Sequence, residues 1–304
     1  MDETMTDVPP DALAVDAFEM RVVDINRADL DQLHALSIGV GWPHRAEDWQ
    51  FLRENGRGVV ALDEIGRTLG SAMWFPQGDD FATVGMVITS PRLQAMGTGN
   101  WLMQHVLGEC GNRSLRLNAT RTARRLYLSL DFKPAQTVYQ CQGEAVVPAC
   151  LPALPADLQM RALDAGDLDE ITALDAAAFG APRGPLLTAL MEKSAALGLY
   201  RAGRLVAFAF CRGFGRGHVI GPVVAESDDT ARVVVAPFVV EHAGRFLRID
   251  THRESGPFNA FLADAGMPVF DTVLTMTQGG HFADPNRAEP GAPRTYGLVS
   301  QAFG

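Results

Sequence analysis

The sequence predicts an α/β fold, a mixed sheet covered by helices and built twice over. Three observations carry that expectation. The chain repeats itself once at long range. Within each half, strand and helix periodicities alternate in the order β-α-α-β-β-β-α-β-α-β. A proline-rich stretch separates the two halves.

The repeat is read from four matches in register. Met20-Arg21-Val22-Val23-Asp24 recurs as Met160-Arg161-Ala162-Leu163-Asp164, and Asp29-Leu30-Asp31-Gln32-Leu33 as Asp167-Leu168-Asp169-Glu170-Ile171. Gly66-Arg67-Thr68-Leu69 parallels Gly203-Arg204-Leu205-Val206, and Leu115-Arg116-Leu117-Asn118 parallels Leu247-Arg248-Ile249-Asp250. The offset stays close to about 140 residues, which fits two copies of one domain and no short solenoid repeat. Between them, Val147 to Pro155 holds Pro148, Pro152 and Pro155, and proline breaks helix and central strand alike. The expected organisation is a first domain over 18–146, a linker over 147–157, a second domain over 158–283 and a tail over 284–304. The tail carries Pro285, Pro290 and Pro293 and then turns apolar at Tyr296-Gly297-Leu298-Val299, so it is expected to pack on the domains.

The elements of the first half follow in order. Residues 20–25 read as a strand, 27–37 and 45–55 as helices with Trp49 and Leu52 on one face, and Val59–Leu62 as a short strand. Leu69–Phe75 and Thr83–Thr89 are strands; 98–109 is a helix with Trp101, Leu102, His105 and Val106 on one side. Leu115–Leu117 is a strand, 121–131 a helix and Thr137–Gln142 a strand, and the second half repeats the order.

Composition bounds the function. The 304 residues are 47% hydrophobic and 20% charged, a globular balance with length enough for a core in each half. A net charge of −10 argues against nucleic-acid binding. Cysteines stand at 110, 141, 150 and 211 without metal or redox spacing, so they are expected to be buried and inert in a reducing compartment. Met1-Asp2-Glu3-Thr4 lacks the basic start of a secretory signal, and no apolar run approaches the ~18 residues of a membrane span. The expected location is cytoplasmic, with no membrane partner.

The most informative stretch follows the strand ending at Ser90-Pro91. Gln94-Ala95-Met96-Gly97-Thr98-Gly99 leads straight into a helix. Glycine permits φ > 0 and close approach of the backbone to a ligand, and the free N–H groups of a helix start favour an anion. A tight strand-to-helix turn would have the same composition. The loop is no P-loop, since no Gly-Lys-Ser/Thr follows, and it lacks the third glycine of a dinucleotide fold. About 25 residues later, Ala123-x-x-Leu126-Tyr127-x-x-Leu130-x-Phe132 sets Ala123, Leu126 and Leu130 on one helix face.

These two motifs together resemble the GCN5-related N-acetyltransferase (GNAT) family, in its tandem two-domain bacterial type. Gly41-Trp42, Asp48-Trp49, Leu117-Asn118-Ala119-Thr120, His218-Val219-Ile220-Gly221-Pro222 and Tyr296-Gly297-Leu298 extend the resemblance over about residues 20–304. It implies two tandem acyl-CoA N-acyltransferase domains and an acetyl-CoA donor, with no metal. Gln94, Ala95, Met96, Gly97, Thr98 and Gly99 would grip the pyrophosphate; Met86-Val87-Ile88 would pair with pantetheine and offer a backbone donor to the thioester oxygen. Thr120 and Ala123 would flank the pantetheine, and Tyr127 would be the general acid toward sulfur. Thr120 stands where the family often has asparagine, and Asp131 where it usually has glycine. The implied reaction is direct transfer to a primary amine of a small-molecule or peptide acceptor in a ternary complex. A non-catalytic acyl-CoA sensor or scaffold is the alternative.

For the acceptor pocket, Trp42, His44 and Trp49 are candidates beside the ordinary alternatives, core packing for the tryptophans and solvation for His44, Glu47 and Asp48. No general base is identified, and water can carry the proton. Arg183, after Phe179-Gly180-Ala181-Pro182, is a candidate for a substrate carboxylate or a solvated cation.

The second half lacks the chemistry. Ala225-Glu226-Ser227-Asp228-Asp229-Thr230 replaces the glycine loop with carboxylates, and Leu262 falls at the tyrosine's place. That copy is expected to be degenerate, either structural or completing the acceptor site. Gly213-Phe214-Gly215-Arg216-Gly217 reads as a hairpin turn, and His252-x-Glu254 has no zinc-deaminase partner motif.

Overall fold

The computed structural model describes residues 11–15, 18–94, 96–280 and 291–304. Ala95, Met1–Thr4 and Pro285–Pro290 lie outside the described residues. Local signals set the first elements. Strands β1 (Ala12–Val15) and β2 (Phe18–Asp24) form an antiparallel pair, of which only β2 has a counterpart in the sequence reading. Asp29 accepts from the amides of Asp31 and Gln32 and so opens α1 (Leu30–Gly39). Asp48 accepts from the Arg45 amide at 2.9 Å and opens α2 (Ala46–Asn55).

A meander follows, β3 (Arg57–Asp63), β4 (Thr68–Gln77) and β5 (Phe81–Thr89), then α3 (Thr98–Cys110), β6 (Ser114–Ala119), α4 (Arg124–Ser129) and β7 (Lys133–Glu144). The helix expected over 121–131 is shorter, because Thr120–Ala123 form a turn before it. The second half repeats the order as β8 (Leu158–Ala162), α5 (Leu168–Phe179), α6 (Gly184–Met191), β9 (Ala195–Arg201), β10 (Arg204–Phe214), β11 (Gly217–Ala225), α7 (Asp228–Glu241), β12 (Phe246–Thr251), α8 (Pro257–Asp264) and β13 (Val269–Gln278). A tail strand, β14 (Arg294–Gly297), completes it.

All fourteen strands of the described residues belong to one sheet, ordered β1-β2-β3-β4-β5-β6-β13-β7-β12-β11-β10-β9-β8, with β14 on β11. The halves interlock at its centre. Strand β13 of the second half lies between β6 and β7, pairing Leu274 with Ala119 on one side and Val273 with Val138 on the other. Strand β7 of the first half lies between β13 and β12, with Ile249 opposite Cys141. Each half therefore fills a gap in the other, and the linker over 147–157 joins two parts that share a sheet. Alternating hydropathy marks a strand without naming its neighbour, so the sequence reading of two copies of one domain had no access to the exchange.

Helices cover both faces. Trp101, Leu102 and Val106 of α3 pack on the first half's sheet with Tyr127 and Phe132. Val234, Phe238 and Val239 of α7 do the same in the second half with Phe258 and Leu262. On the opposite face one core serves both halves. Trp49, Phe51 and Leu52 of α2 join Leu186, Leu187 and Leu190 of α6, Phe208 and Phe210 of β10, and Val299 and Phe303 of the tail. Burial of large apolar side chains at ~25 cal/mol per Å² makes this shared core a main tie between the copies.

Cys110, Cys141 and Cys211 are buried free thiols, and burial pushes Cys110 and Cys211 up to about 12 and Cys141 up to about 11. Cys150 is exposed on the proline-rich linker, which corrects the expectation that all four are buried. No helix of the described residues is long and apolar enough to cross a membrane.

Candidate active site

The site begins where two parallel strands part. Strands β5 and β6 pair in parallel from Phe81 with Ser114 to Val84 with Leu117, and not beyond. Past that point β5 bulges: Met73 faces Gly85 and Ser71 faces Ile88, so β5 spends one extra residue at Met86–Val87. Met86 has φ 52°, and the buried Ser71 hydroxyl donates to its carbonyl at 2.7 Å. A bulge leaves main-chain groups outside the ladder, and Val87 and Ile88, at and just after it, line the opening.

A cavity of about 700 Å³ fills the opening. Val87, Ile88, Gln94, Gly97, Gly99, Thr120, Ala123 and Tyr127 line it, so eight of the predicted donor-site residues converge on one space. Trp42 joins them from the α1–α2 loop. The side chains of Met86 and Thr98 are buried behind the wall and do not line it, and Met96 points outward at 44% exposure. Sequence reasoning missed Gly39, Val40, Asn100, Thr122 and Leu126, which also line the space. Leu126 lies within the second motif without having been assigned to the site, and the others lie near the recognised residues in sequence, which was the available signal.

The loop geometry follows from its glycines. Gly97 sits in the left-handed region at φ 83° and is the N-cap of α3, with no side-chain cap and no acidic residue in the first turn. A Cβ built at Gly97 meets nothing within 4 Å, so a side chain there would project into open space. A Cβ at Gly99 would stand 3.3 Å from Leu126 Cδ2 and 3.5 Å from Thr89 Oγ1, so the helix start is packed closely against α4 and β5. The uncapped helix end is suited to an anion.

Tyr127 lies on α4 with 5% exposure, its ring 6.0 Å from Phe132 in an edge contact. Its hydroxyl makes no hydrogen bond with another described residue, and burial raises its pKa above the ordinary tyrosine value, so it stays protonated at neutral pH. Asp131 holds φ 62°, and the amides of Asp131 and Phe132 close on the carbonyls of Leu128 and Tyr127. The glycine expected there is replaced by a residue that tolerates the left-handed turn.

On the acceptor side the candidates separate. Trp49 is fully buried, donates from Nε1 to Ser37 Oγ at 3.2 Å and belongs to the core, which corrects its assignment to a pocket. Arg183 is also corrected. Its guanidinium is wholly buried, binds both oxygens of Asp175 at 2.7 Å, donates to the Gly304 main-chain oxygen at 2.9 Å and stacks on Phe179. Asp48 is held ionised: burial pushes it up, but hydrogen bonds from the Arg45 side chain, the Arg45 amide and the Gly215 amide outweigh that and leave its pKa lowered. His44 lines a second cavity of about 230 Å³, and burial pulls it down to about 4 against the opposing charge of Asp48. Phe51, Arg212, Phe214 and Ser300 also line that cavity; sequence reasoning missed them, since Arg212 and Phe214 come from the second half's hairpin, Ser300 from the tail and Phe51 from the apolar face of α2.

The second half has the same parting of strands but a different occupant. Strands β11 and β12 pair only at His218 with Leu247 and Val219 with Arg248. Beyond them β14 pairs with β11 from Val223 to Ala225, and the Leu298 amide donates to Asp250 of β12 at 2.8 Å. A Cβ at Gly221 would stand 1.9 Å from the Leu298 carbonyl oxygen, so the tail fills the cleft closely. At the helix start, Ser227 caps α7 in a reciprocal box with Thr230, and Asp228 accepts from Tyr296, Arg253 and the Phe258 amide. Leu262, at the tyrosine's place, is fully buried. The hairpin reading of Gly213–Gly217 agrees with the antiparallel β10–β11 pair, in which Phe214 faces Gly217. His252 bonds to the Thr137 carbonyl, and no group of three or more His, Cys, Asp or Glu suited to a metal occurs among the described residues.

Comparison with known proteins matches both halves to one family. Residues 44–148 and residues 171–289 each match a model described as an acetyltransferase (GNAT) domain. A Bacillus subtilis (strain 168) protein described as an uncharacterized N-acetyltransferase, YitH, is 25% identical over 296 residues, covering 93% of this chain and 98% of its own. Among solved structures, a Pyrococcus horikoshii protein assigned provisionally to the acetyltransferases superposes with a TM-score of 0.74 at 16% identity, covering 96% of this chain and 98% of its own. A tandem GNAT protein from the clavulanic acid biosynthesis pathway superposes at 0.61 and 14% identity, over 87% of this chain and 100% of its own.

Proposed function

The chain belongs to the GNAT acetyltransferase family, with two such domains in tandem, and from that premise we propose that its first half transfers an acetyl group from acetyl-CoA to a primary amine of a small-molecule or peptide acceptor. The observation that carries this reading is the convergence of three features on one cavity: the bulged strand at Met86–Val87, the uncapped start of α3 at Gly97, and Tyr127.

Each feature matches a need of the reaction. The helix start and the Gln94–Gly99 loop suit the donor's pyrophosphate through main-chain N–H groups. The parted edges of β5 and β6 suit the extended pantetheine arm, with Thr120 and Ala123 beside it. A main-chain N–H at the bulge meets the charge that develops on the thioester oxygen as the neutral amine attacks. Holding donor and acceptor in contact supplies several kcal/mol of the barrier. The carbon–nitrogen bond forms, the carbon–sulfur bond breaks, and Tyr127 gives its proton to the departing sulfur. The amine's proton leaves to water; His44, pulled down to about 4, is neutral but weakly basic.

The second half serves as scaffold in this reading, its cleft closed by the chain's own tail. The test is release of CoA thiol from acetyl-CoA across a panel of primary amines. Turnover with at least one amine supports the transferase. Tight acetyl-CoA binding with no thiol release across the panel would replace it with the acyl-CoA sensor or scaffold.

A further inference from the structure

The smaller cavity, about 230 Å³, lies between α2 and the β10–β11 hairpin, and residues of both halves wall it. It is below the ~300–1,000 Å³ of drug-sized pockets, which suits a small occupant. The hairpin is clamped to α2 and to the loop before it. Asp48 Oδ2 accepts from the Gly215 amide at 2.9 Å, and the His44 ring meets Phe214 edge-on at 5.2 Å. The His44 and Trp42 rings are 6.0 Å apart, and Trp42 lines the larger cavity, so the loop forms a wall common to both spaces.

Two charged residues that line this cavity have no ion-pair partner among the described residues, the exposed Glu47 and the buried Arg212. Arg45 is paired with Asp48 at 2.8 Å, Lys193 with Glu54 at 3.2 Å, and the neighbouring Arg248 with Asp250 at 2.9 Å. Arg212 forms no ion pair among the described residues. It is 7% exposed, donates to the main-chain carbonyls of Gly221 at 3.0 Å and Val299 at 2.8 Å, and lies between the rings of Phe51 and Phe214, 6.0 and 5.8 Å away. A guanidinium carries five N–H donors, and these two bonds leave donors unspent. Asp48 and Asp250 act on Arg212 only through space, so its burial is uncompensated by direct contact with a carboxylate, a group that matches the guanidinium fork in two parallel hydrogen bonds. A second polar group in the same wall is also unspent: His44 Nδ1 is buried with no hydrogen-bond partner.

We propose that this cavity is the acceptor subsite and that Arg212, supplied by the second copy, recognises a carboxylate on the acceptor. The acceptor class is then a small amine that also bears a carboxylate, as a free amino acid does. The inference rests on the transferase reading only for naming the occupant an acceptor. It also gives the degenerate copy a task, since the cation that selects the substrate of one half comes from the other.

The experiment titrates pairs of ligands that differ only at the carboxylate, the standard L-amino acids and their α-amides, into the full chain saturated with CoA. The expected result is that at least one amino acid binds at least about tenfold more tightly than its amide. Arg212→Met abolishes that preference, Arg212→Lys keeps part of it, and both variants bind CoA as the wild type does. No preference for acid over amide in the wild type overturns the proposal, as does a preference that survives Arg212→Met. If Arg212→Met loses CoA binding and so fails to fold, the wild-type preference and its partial retention in Arg212→Lys decide. Thiol release from acetyl-CoA, measured with the same ligand pairs in separate samples, separates the two readings. Carboxylate preference without turnover keeps the subsite and removes the transferase; turnover equal for acids and amides keeps the transferase and removes the subsite.

Discussion

The two copies part their central strands in the same way and fill the opening differently. In the first, β5 and β6 separate after Val84 and Leu117 around an open cavity; in the second, β11 and β12 separate after Val219 and Arg248 around β14. The helix starts differ in the same sense. Gly97 leaves α3 uncapped, whereas α7 carries a serine cap and an Asp228 carboxylate already bound by Tyr296, Arg253 and the Phe258 amide. A peptide strand fills in the second copy the opening that holds a cavity in the first, and a carboxylate occupies the helix end that suits an anion. The same backbone becomes a ligand site or a structural joint according to a few side chains and one tail.

The tail is the point at which this contrast breaks most easily. Phe303 is 1% exposed and packs on Phe75 and Phe51 at 4.4 and 5.7 Å, in the core both copies share. Phe303→Ala is expected to cost about 3–5 kcal/mol in denaturant unfolding, with both halves losing stability together. A loss below about 1 kcal/mol would mean the tail is dispensable. Next comes the pair Tyr127 and Leu262. Tyr127→Phe is expected to lower kcat at least about 100-fold with acetyl-CoA affinity unchanged, while Leu262→Tyr in the second copy adds no activity. An unchanged kcat in Tyr127→Phe removes its role as acid.

Tyr296→Phe deletes a bond to a charged carboxylate and is expected to cost about 2 kcal/mol without altering acetyl-CoA binding. The joint between the copies also has a pH signature. Burial pulls His44 and His252 down to about 4. Their contribution to stability is present above about 6.5 and is lost as pH falls toward 4, because the unfolded chain takes up their protons first. Melting temperature is expected to fall across that window, less steeply in His252→Gln. The smallest effect is at Asp131, where Asp131→Gly relieves a left-handed backbone and is expected to stabilise by about 1 kcal/mol in chemical denaturation.

Much of the proposed donor site was legible because its chemistry is local. Gln94 through Gly99 and Ala123 through Tyr127 are short motifs whose spacing sets a turn and a helix face, and the structure brings most of them to one cavity. The helix periods of α1, α2 and α3 were legible for the same reason. What was hidden depends on contacts between distant segments. Arg183 sits in a loop composition that reads as solvated, yet Asp175 and Gly304 bury it. Trp49 reads as core somewhat more than as pocket, and its N–H on Ser37 settles it in the core. Arg212 lies inside an apolar strand run and has no motif, and only the approach of α2 and the tail makes a cavity around it. The exchange of β7 and β13 is hidden most completely, since both strands have the composition they would have without it.

The most direct test of the contrast is the stoichiometry of acetyl-CoA in isothermal titration, for the wild type beside a Gly97→Asp/Gly99→Asp double variant. The account predicts one site per chain, absent from the variant, because new carboxylates would stand at the open helix start of the first copy while the tail continues to fill the second. Two sites in the wild type, or one site that survives in the variant, would contradict it.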